Sequence, residues 1–343
     1  MLRIEKVALS LALGAMFAIA APAQAQNVLT AVKVAEAPKL AALASDPAWG
    51  KASALSVKLN GGQNFAGGST EATLKAVYTS DTLYMLVQYK DPTQSIRRFP
   101  YQKQADGSWK KLVDPADKGG DDNIYYEDKY ALLWNINKSI ANFDRQGCFA
   151  LCHMGETKPY GNKYTASDGE IGDIWHMKSI RTGYIGQVDD QFVDHTRYDK
   201  DKAPEAGRKS DAKTAGGYAD VKLVNGKPEF MSKDGKAGNK GGTYYIREED
   251  KVAFDDGKFV AGDEVASIVV SKFTGDRGDI ATTIGWKDGM WTSVIERKLL
   301  TGSKTDVQFA DLGDSYGFGI AAFDNAQVRH AFHMGSLQLK FAK

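Results

Sequence analysis

Between positions 73 and 90 the chain alternates apolar and polar side chains in two runs, TLKAVYT and LYMLVQYK, broken at Ser80-Asp81. Val77, Leu83, Met85, Val87 and Tyr89 fall at spacings that give a strand one apolar face, so the segment predicts a β-hairpin. YALLWNI at 130–136 is apolar almost throughout and predicts a more deeply buried strand. Similar runs return at 266–273, 279–286, 291–299, 316–323 and 337–341, separated by Gly, Asp and Asn. Long amphipathic helical patterns are scarce. The pattern predicts an all-β protein, a β-sandwich with a few short helices.

One stretch breaks the pattern. From about 196 to 256 the chain runs through KDKAPEAGRKSDAKTAGG and SKDGKAGNKGG, with too few apolar residues for a core. It predicts a long polar insertion, mobile or folded over the surface, within a single domain spanning 26–343.

Composition adds a compartment. Arg3 and Lys6 precede an apolar run from 7 to 21, and Ala23-Gln24-Ala25 supplies small residues for cleavage. This reads as a bacterial Sec signal peptide cut near Ala25, which predicts a soluble periplasmic protein. No later segment is long and apolar enough to span a bilayer. The 44 basic and 43 acidic side chains nearly cancel, so there is no basic excess to collect the phosphates of a nucleic acid.

Candidate chemistry is concentrated in Cys148-Phe149-Ala150-Leu151-Cys152-His153, which holds the only two cysteines. Two thiols followed directly by an imidazole suit covalent haem: the thiols add to the vinyl groups and the imidazole takes one axial position. The usual spacing leaves two residues between the cysteines, and here there are three. An exported pair of thiols also suits a small-loop disulfide, which closes little chain and leaves the adjacent histidine unexplained.

Five histidines are present: His153, His176, His195, His330 and His333. Methionine follows His153, His176 and His333, and either side chain of such a pair can ligate iron. His176 lies beside Trp175, and His333 just precedes the last strand. His195, among Asp and Arg, reads as a solvated surface residue. No nucleophile elbow, phosphate loop or zinc signature is present, and Asp121-Asp122 and Asp189-Asp190 read as turns or solvated loops.

Several segments in order carry a resemblance: Asp46-Pro47-Ala48-Trp49, LYMLVQYKDPT, GCFALCHMGE, GDIWHMKSIRTG with Asp189-Asp190, and the closing FDNAQVRHAFHMGSLQLKF. Together they resemble the haem-binding domain of the ethylbenzene dehydrogenase gamma subunit, a family that serves molybdenum enzymes of the dimethyl-sulfoxide-reductase type. The resemblance implies a sandwich holding one haem between its sheets. The best-known gamma subunits bind haem b through methionine and lysine, whereas Cys148, Cys152 and His153 look like a c-type branch with the longer spacing.

On that reading the cofactor is one haem c, or haem b if attachment fails. Cys148 and Cys152 form the thioethers, and His153 is the proximal ligand. His333 stands where the family places its lysine and is the expected distal ligand; His176 is the alternative, with Met334 and Lys178 behind it. The chain is then an electron-transfer protein rather than an enzyme. Its partner is a redox protein, either a molybdopterin oxidoreductase with its iron–sulfur subunit or another cytochrome. The N-terminal half also looks like a family-9 carbohydrate-binding module. That gives the competing expectation: a haem-free ligand-binding module with a Cys148–Cys152 disulfide.

Overall fold

The computed structural model describes residues 27–117, 119–152 and 163–343, without the side chain of Cys152. The expected leader, with its cleavage site, lies outside these residues, as does His153. No helix among the described residues is long and apolar enough to cross a membrane.

Thirteen strands form one sheet that folds onto itself. In chain order they are β1 (Val28–Lys33), β2 (Leu55–Asn60), β3 (Ser69–Tyr78), β4 (Thr82–Lys90), β5 (Lys129–Asn135), β6 (Gly172–Lys178), β7 (Asp189–Val193), β8 (Arg208–Ser210), β9 (Ala281–Lys287), β10 (Met290–Lys298), β11 (Ser315–Phe323), β12 (Ala331–Phe332) and β13 (Leu337–Phe341). Their order is β8-β7-β6-β5-β11-β12-β2-β3-β4-β10-β9. Strand β1 pairs in parallel with β13 and β3, and β13 returns to β11, so the two layers are stitched together. The expected all-β sandwich is what the chain forms, and its helices are short: α1 (Phe143–Gln146), α2 (Phe149–Cys152) and several 3-10 turns.

The main core lies between the layers. Leu74, Met85 and Val87 from one side meet Trp134, Trp175 and Phe318 from the other. Trp134 stacks on Phe318 at 4.7 Å between centroids and touches Trp175 at 4.8 Å, a contact geometry that adds to simple area burial. The outer face of the hairpin is covered as well. Asp46 accepts from the Lys39 and Ala48 N–H groups, both at 2.9 Å, Pro47 opens the following turn, and Trp49 drops onto Val77, Tyr84 and Leu86.

The polar stretch from 196 to 256 does more than the sequence suggests. It forms short strands, and Val221, Met231, Ala237 and Ile246 enter a second core. That core is completed from outside the stretch by Tyr101, Trp109, Phe259 and Val265, which is why so few apolar residues within it suffice.

Behind the hairpin, Asp91, Asp128 and Asp324 converge. Burial and the neighbouring Asp324 push Asp91 up to about 7, and burial and Asp91 push Asp128 well above its ordinary range. A carboxyl raised in this way keeps a proton that the unfolded chain has already released. Its stabilisation is complete below about 3.8 and is lost as pH rises through about 7. The unfolding free energy from urea titrations should therefore fall over that window, by about 1.4 kcal/mol per pH unit for each retained proton. Asp91→Asn should flatten the slope, and an unchanged slope in that variant would contradict the assignment.

Candidate functional site

The outer face of β5, β6 and β11 carries a recess built in three cross-strand rows. Ile174, Leu133 and Gly319 form one row; His176, Ala131 and Ala321 the next; Lys178, Lys129 and Phe323 the third. Alternation explains the division of β6. Asp173, Trp175 and Met177 point one way, the last two into the main core, and Ile174, His176 and Lys178 point the other. The small side chains Ala131, Ala321 and Gly319 leave a low floor beside the imidazole.

Cys148 closes the apolar end. It is buried with Leu133, Phe143, Leu151 and Ile174, and it presses onto β11 at Gly319. A Cβ on Gly319 would lie 2.9 Å from both the Cβ and the N of Cys148, so only glycine admits that approach. Gly147, at φ 56°, is equally constrained, because a side chain there would run into the Gly335 carbonyl. Cys152 ends α2, so the thiol-bearing segment starts on the recess wall. Gly319→Val is expected to push Cys148 off the strand while leaving the inner core intact. In the reduced chain the Cys148 thiol should then react several-fold faster with a thiol reagent, with little loss of secondary structure by circular dichroism; an unchanged rate would contradict this packing.

His176 occupies the centre. Its Nδ1 lies 3.2 Å from Gln191 Oε1 on β7, and its buried Nε2 has no hydrogen-bond partner among the described residues. A ring held through one nitrogen and free at the other is the usual state of an imidazole ready to bind a metal. Burial first, then the charges of Lys178 and Lys129, holds His176 far below the ordinary histidine range, so the ring is neutral and its lone pair available.

Beyond His176 the recess widens into a cleft of about 490 Å³ lined by cations, including Lys129, Lys178, Arg181 and Arg208. The apolar and polar parts share Lys163, His176, Arg208 and Phe323, so they form one continuous recess. Lys178 is neutralised by Asp189, which also takes Arg277, and Arg181 is neutralised by Glu127. Lys129 lies 4.1 Å over the Phe323 ring and donates to the Gln327 carbonyl at 2.9 Å. Burial and Arg181 push it well below the ordinary lysine range. The cleft is thus lined by basic side chains whose charges are largely met by carboxylates of the protein itself.

The remaining sequence candidates separate clearly. Met177 is a core residue, and Met334 is 63% exposed. Lys178 spends its ammonium on Asp189 and Tyr218. His195 lies at the surface, 3.2 Å from Asp168. His330 lines the apolar end, with Nδ1 2.7 Å from the Val328 carbonyl. His333 follows β12, donates its N–H to the Ile320 carbonyl at 3.1 Å, and keeps both ring nitrogens buried without a hydrogen-bond partner among the described residues. It does not appear among the residues of the described recess. Asp189 and Asp190, expected in a turn or solvated loop, are fully buried on β7: Asp189 is paired with Lys178 and Arg277, whereas Asp190 accepts the Gln191 N–H at 3.1 Å. Gln191, Lys129 and Arg208 were not foreseen, and polar residues within polar stretches give no sequence signal.

Fold and site together define an all-β protein with a histidine- and thiol-bearing recess ringed by cations. The chain belongs to the ethylbenzene dehydrogenase family, whose model matches residues 46–335. No curated protein sequence matches it. Among solved structures it is similar to a family-9 carbohydrate-binding module from Caldicellulosiruptor kristjanssonii in complex with glucose, at 10% identity and a TM-score of 0.33, over 92% of this chain and 95% of that one. A putative carbohydrate-binding protein from Bacteroides uniformis aligns at 7% identity and a TM-score of 0.37, over 92% and 99%.

Proposed function

We propose that the chain is an exported mono-haem c-type cytochrome that passes electrons to a redox partner such as a molybdopterin oxidoreductase or another cytochrome. The observation that carries this reading is His176: a buried, neutral imidazole, anchored through Nδ1, with Nε2 unpartnered beside Cys148. Donor chemistry and surroundings suit haem. Cys148 and Cys152 would supply thioether sulfurs and His153 the proximal nitrogen. Ala131, Leu133, Ile174 and Phe323 would meet the ring, and Lys129, which an anion beside it would return to its charged form, would meet a carboxylate. Haem bound there supplies one-electron transfer.

His176 would supply the second iron nitrogen ahead of His333, because it lines the recess and has the orienting partner Gln191. Two histidines on the iron leave no open position, which fits a carrier better than a catalyst. A spectroelectrochemical titration tests this reading. The purified protein should follow a reversible one-electron Nernst curve, and its reduced form should not bind carbon monoxide. A colourless protein with a Cys148–Cys152 disulfide would overturn the proposal and favour a ligand-binding module.

A further inference from the structure

On the side of β6 and β7 away from the recess, Asp173, Asp190 and Asp306 converge, exposed by 0%, 0% and 2%. One oxygen from each lies within 4.8 Å of the others. Each carboxylate is anchored through one oxygen. Asp173 Oδ2 accepts from Trp175 Nε1 and from the Val307 N–H, both at 2.9 Å. Asp306 Oδ2 accepts from Thr301 Oγ1 at 2.6 Å, and Asp190 Oδ1 from the Gln191 N–H at 3.1 Å. The other oxygens, Asp173 Oδ1, Asp190 Oδ2 and Asp306 Oδ1, are buried without a hydrogen-bond partner among the described residues.

Charge is equally unbalanced. Asp211 and Asp276 form a second group that shares Asp306, and half-exposed Asp276 opens it to the surface. Buried Asp211 has the Thr305 hydroxyl beside it, and Asp279 lies against Asp190. Against these carboxylates stands the Arg297 guanidinium, 3.1 Å from Asp306 and 3.9 Å from Asp173 and on their anchored Oδ2 atoms. One guanidinium cannot offset four buried carboxylates, so the remaining charge calls for protons or a cation.

We propose that Asp173, Asp190 and Asp306 bind one Ca²⁺. An all-oxygen carboxylate set selects a hard cation and excludes the usual zinc and copper sites. Mg²⁺ usually keeps several waters and is held by one or two carboxylates, whereas Ca²⁺ takes larger sets of protein oxygens in a flexible geometry. Three fully buried carboxylates therefore favour calcium. The Asp91, Asp128 and Asp324 group is the poorer candidate, because Ser95, Trp291 and Asn325 already occupy both oxygens of Asp128. The ion would tie the 301–307 loop to the strands that carry His176 and Gln191. It does not require haem.

The test uses the full exported chain treated with EGTA, with Tb³⁺ as probe and tryptophan excitation, since Trp175 bonds directly to Asp173. Sensitised Tb³⁺ emission should saturate near one equivalent and be displaced by Ca²⁺, and Ca²⁺ should raise the melting temperature. Asp190→Asn removes one of several like charges, so the cation-free variant should still fold. It should lose the emission and the Ca²⁺-dependent rise, whereas Asp91→Asn should keep both. Equal melting temperatures of the parent protein in Ca²⁺ and EGTA would overturn the proposal. So would an Asp190→Asn variant that retains the Ca²⁺ response, or its loss in Asp91→Asn instead.

Discussion

Replacing His176 by alanine is expected to leave haem covalently attached while removing one of the two iron ligands. The absorption spectrum of the ferric protein should change from low-spin to high-spin, and the reduced protein should acquire carbon monoxide binding. Alanine at position 333 should preserve the low-spin spectrum. The contrast follows from geometry. His176 points into the recess from the middle strand of its floor, and Gln191 fixes the ring. His333 lies outside the described recess, after β12. A finer prediction tests the orienting bond: Gln191→Leu should keep the ligand set and shift the reduction potential, because a second partner tunes a metal-bound imidazole. If His333→Ala gives the high-spin form and His176→Ala does not, the distal ligand is His333.

The largest expected loss of stability is at Glu127. It is fully buried and pairs with Arg181 Nε, while its Oε2 accepts from the N–H groups of Ile180 at 2.9 Å and Arg181 at 3.2 Å. Burial opposes the ionised form, and Arg181 with Arg98 overcomes it, so Glu127 stays below the ordinary glutamate range. Glu127→Ala would strand a buried guanidinium and leave the turn after β6 without its acceptor. Removing one partner of such a pair costs about 3–5 kcal/mol. Denaturant unfolding of the haem-free chain should show that loss, and Glu127→Gln a smaller one. A loss below about 1 kcal/mol would mean that water reaches Arg181 and the pair contributes little.

Much of the architecture was legible because burial is one-sided where it matters. The hairpin at β3 and β4 shows its alternation in the residues themselves, and β13 coincides with the apolar run at 337–341. Strand β6 was not legible as a strand. It is buried on both faces, but the face toward the recess carries His176 and Lys178 and the other carries Asp173, so the apolar period is broken by the functional residues. The polar stretch hid its core for a related reason: Val221, Met231 and Ile246 are too far apart to signal a surface, and Tyr101 and Trp109, about a hundred residues earlier, complete it.

The site followed the same division. Cys148 and His176 were visible as residue types, and Gly147 beside Cys148 turns out to be the only residue compatible with the close approach of Gly335. The proposed preference for His176 over His333 rests on which side of a strand faces the recess, and the sequence does not show that. The aspartate cluster was beyond reach of the sequence. Its members stand at 173, 190 and 306, and nothing in the chain marks them as neighbours.

On the proposed reading, Cys148 and Cys152 hold haem covalently in this recess. Protein exported from a host with the cytochrome maturation machinery should be extracted with acid–acetone and then examined as its pyridine haemochrome. The account predicts that the haem stays with the polypeptide and gives a c-type band, lost when both cysteines are replaced by serine. Haem released as haem b would contradict covalent attachment, and the absence of haem would contradict the cytochrome assignment itself.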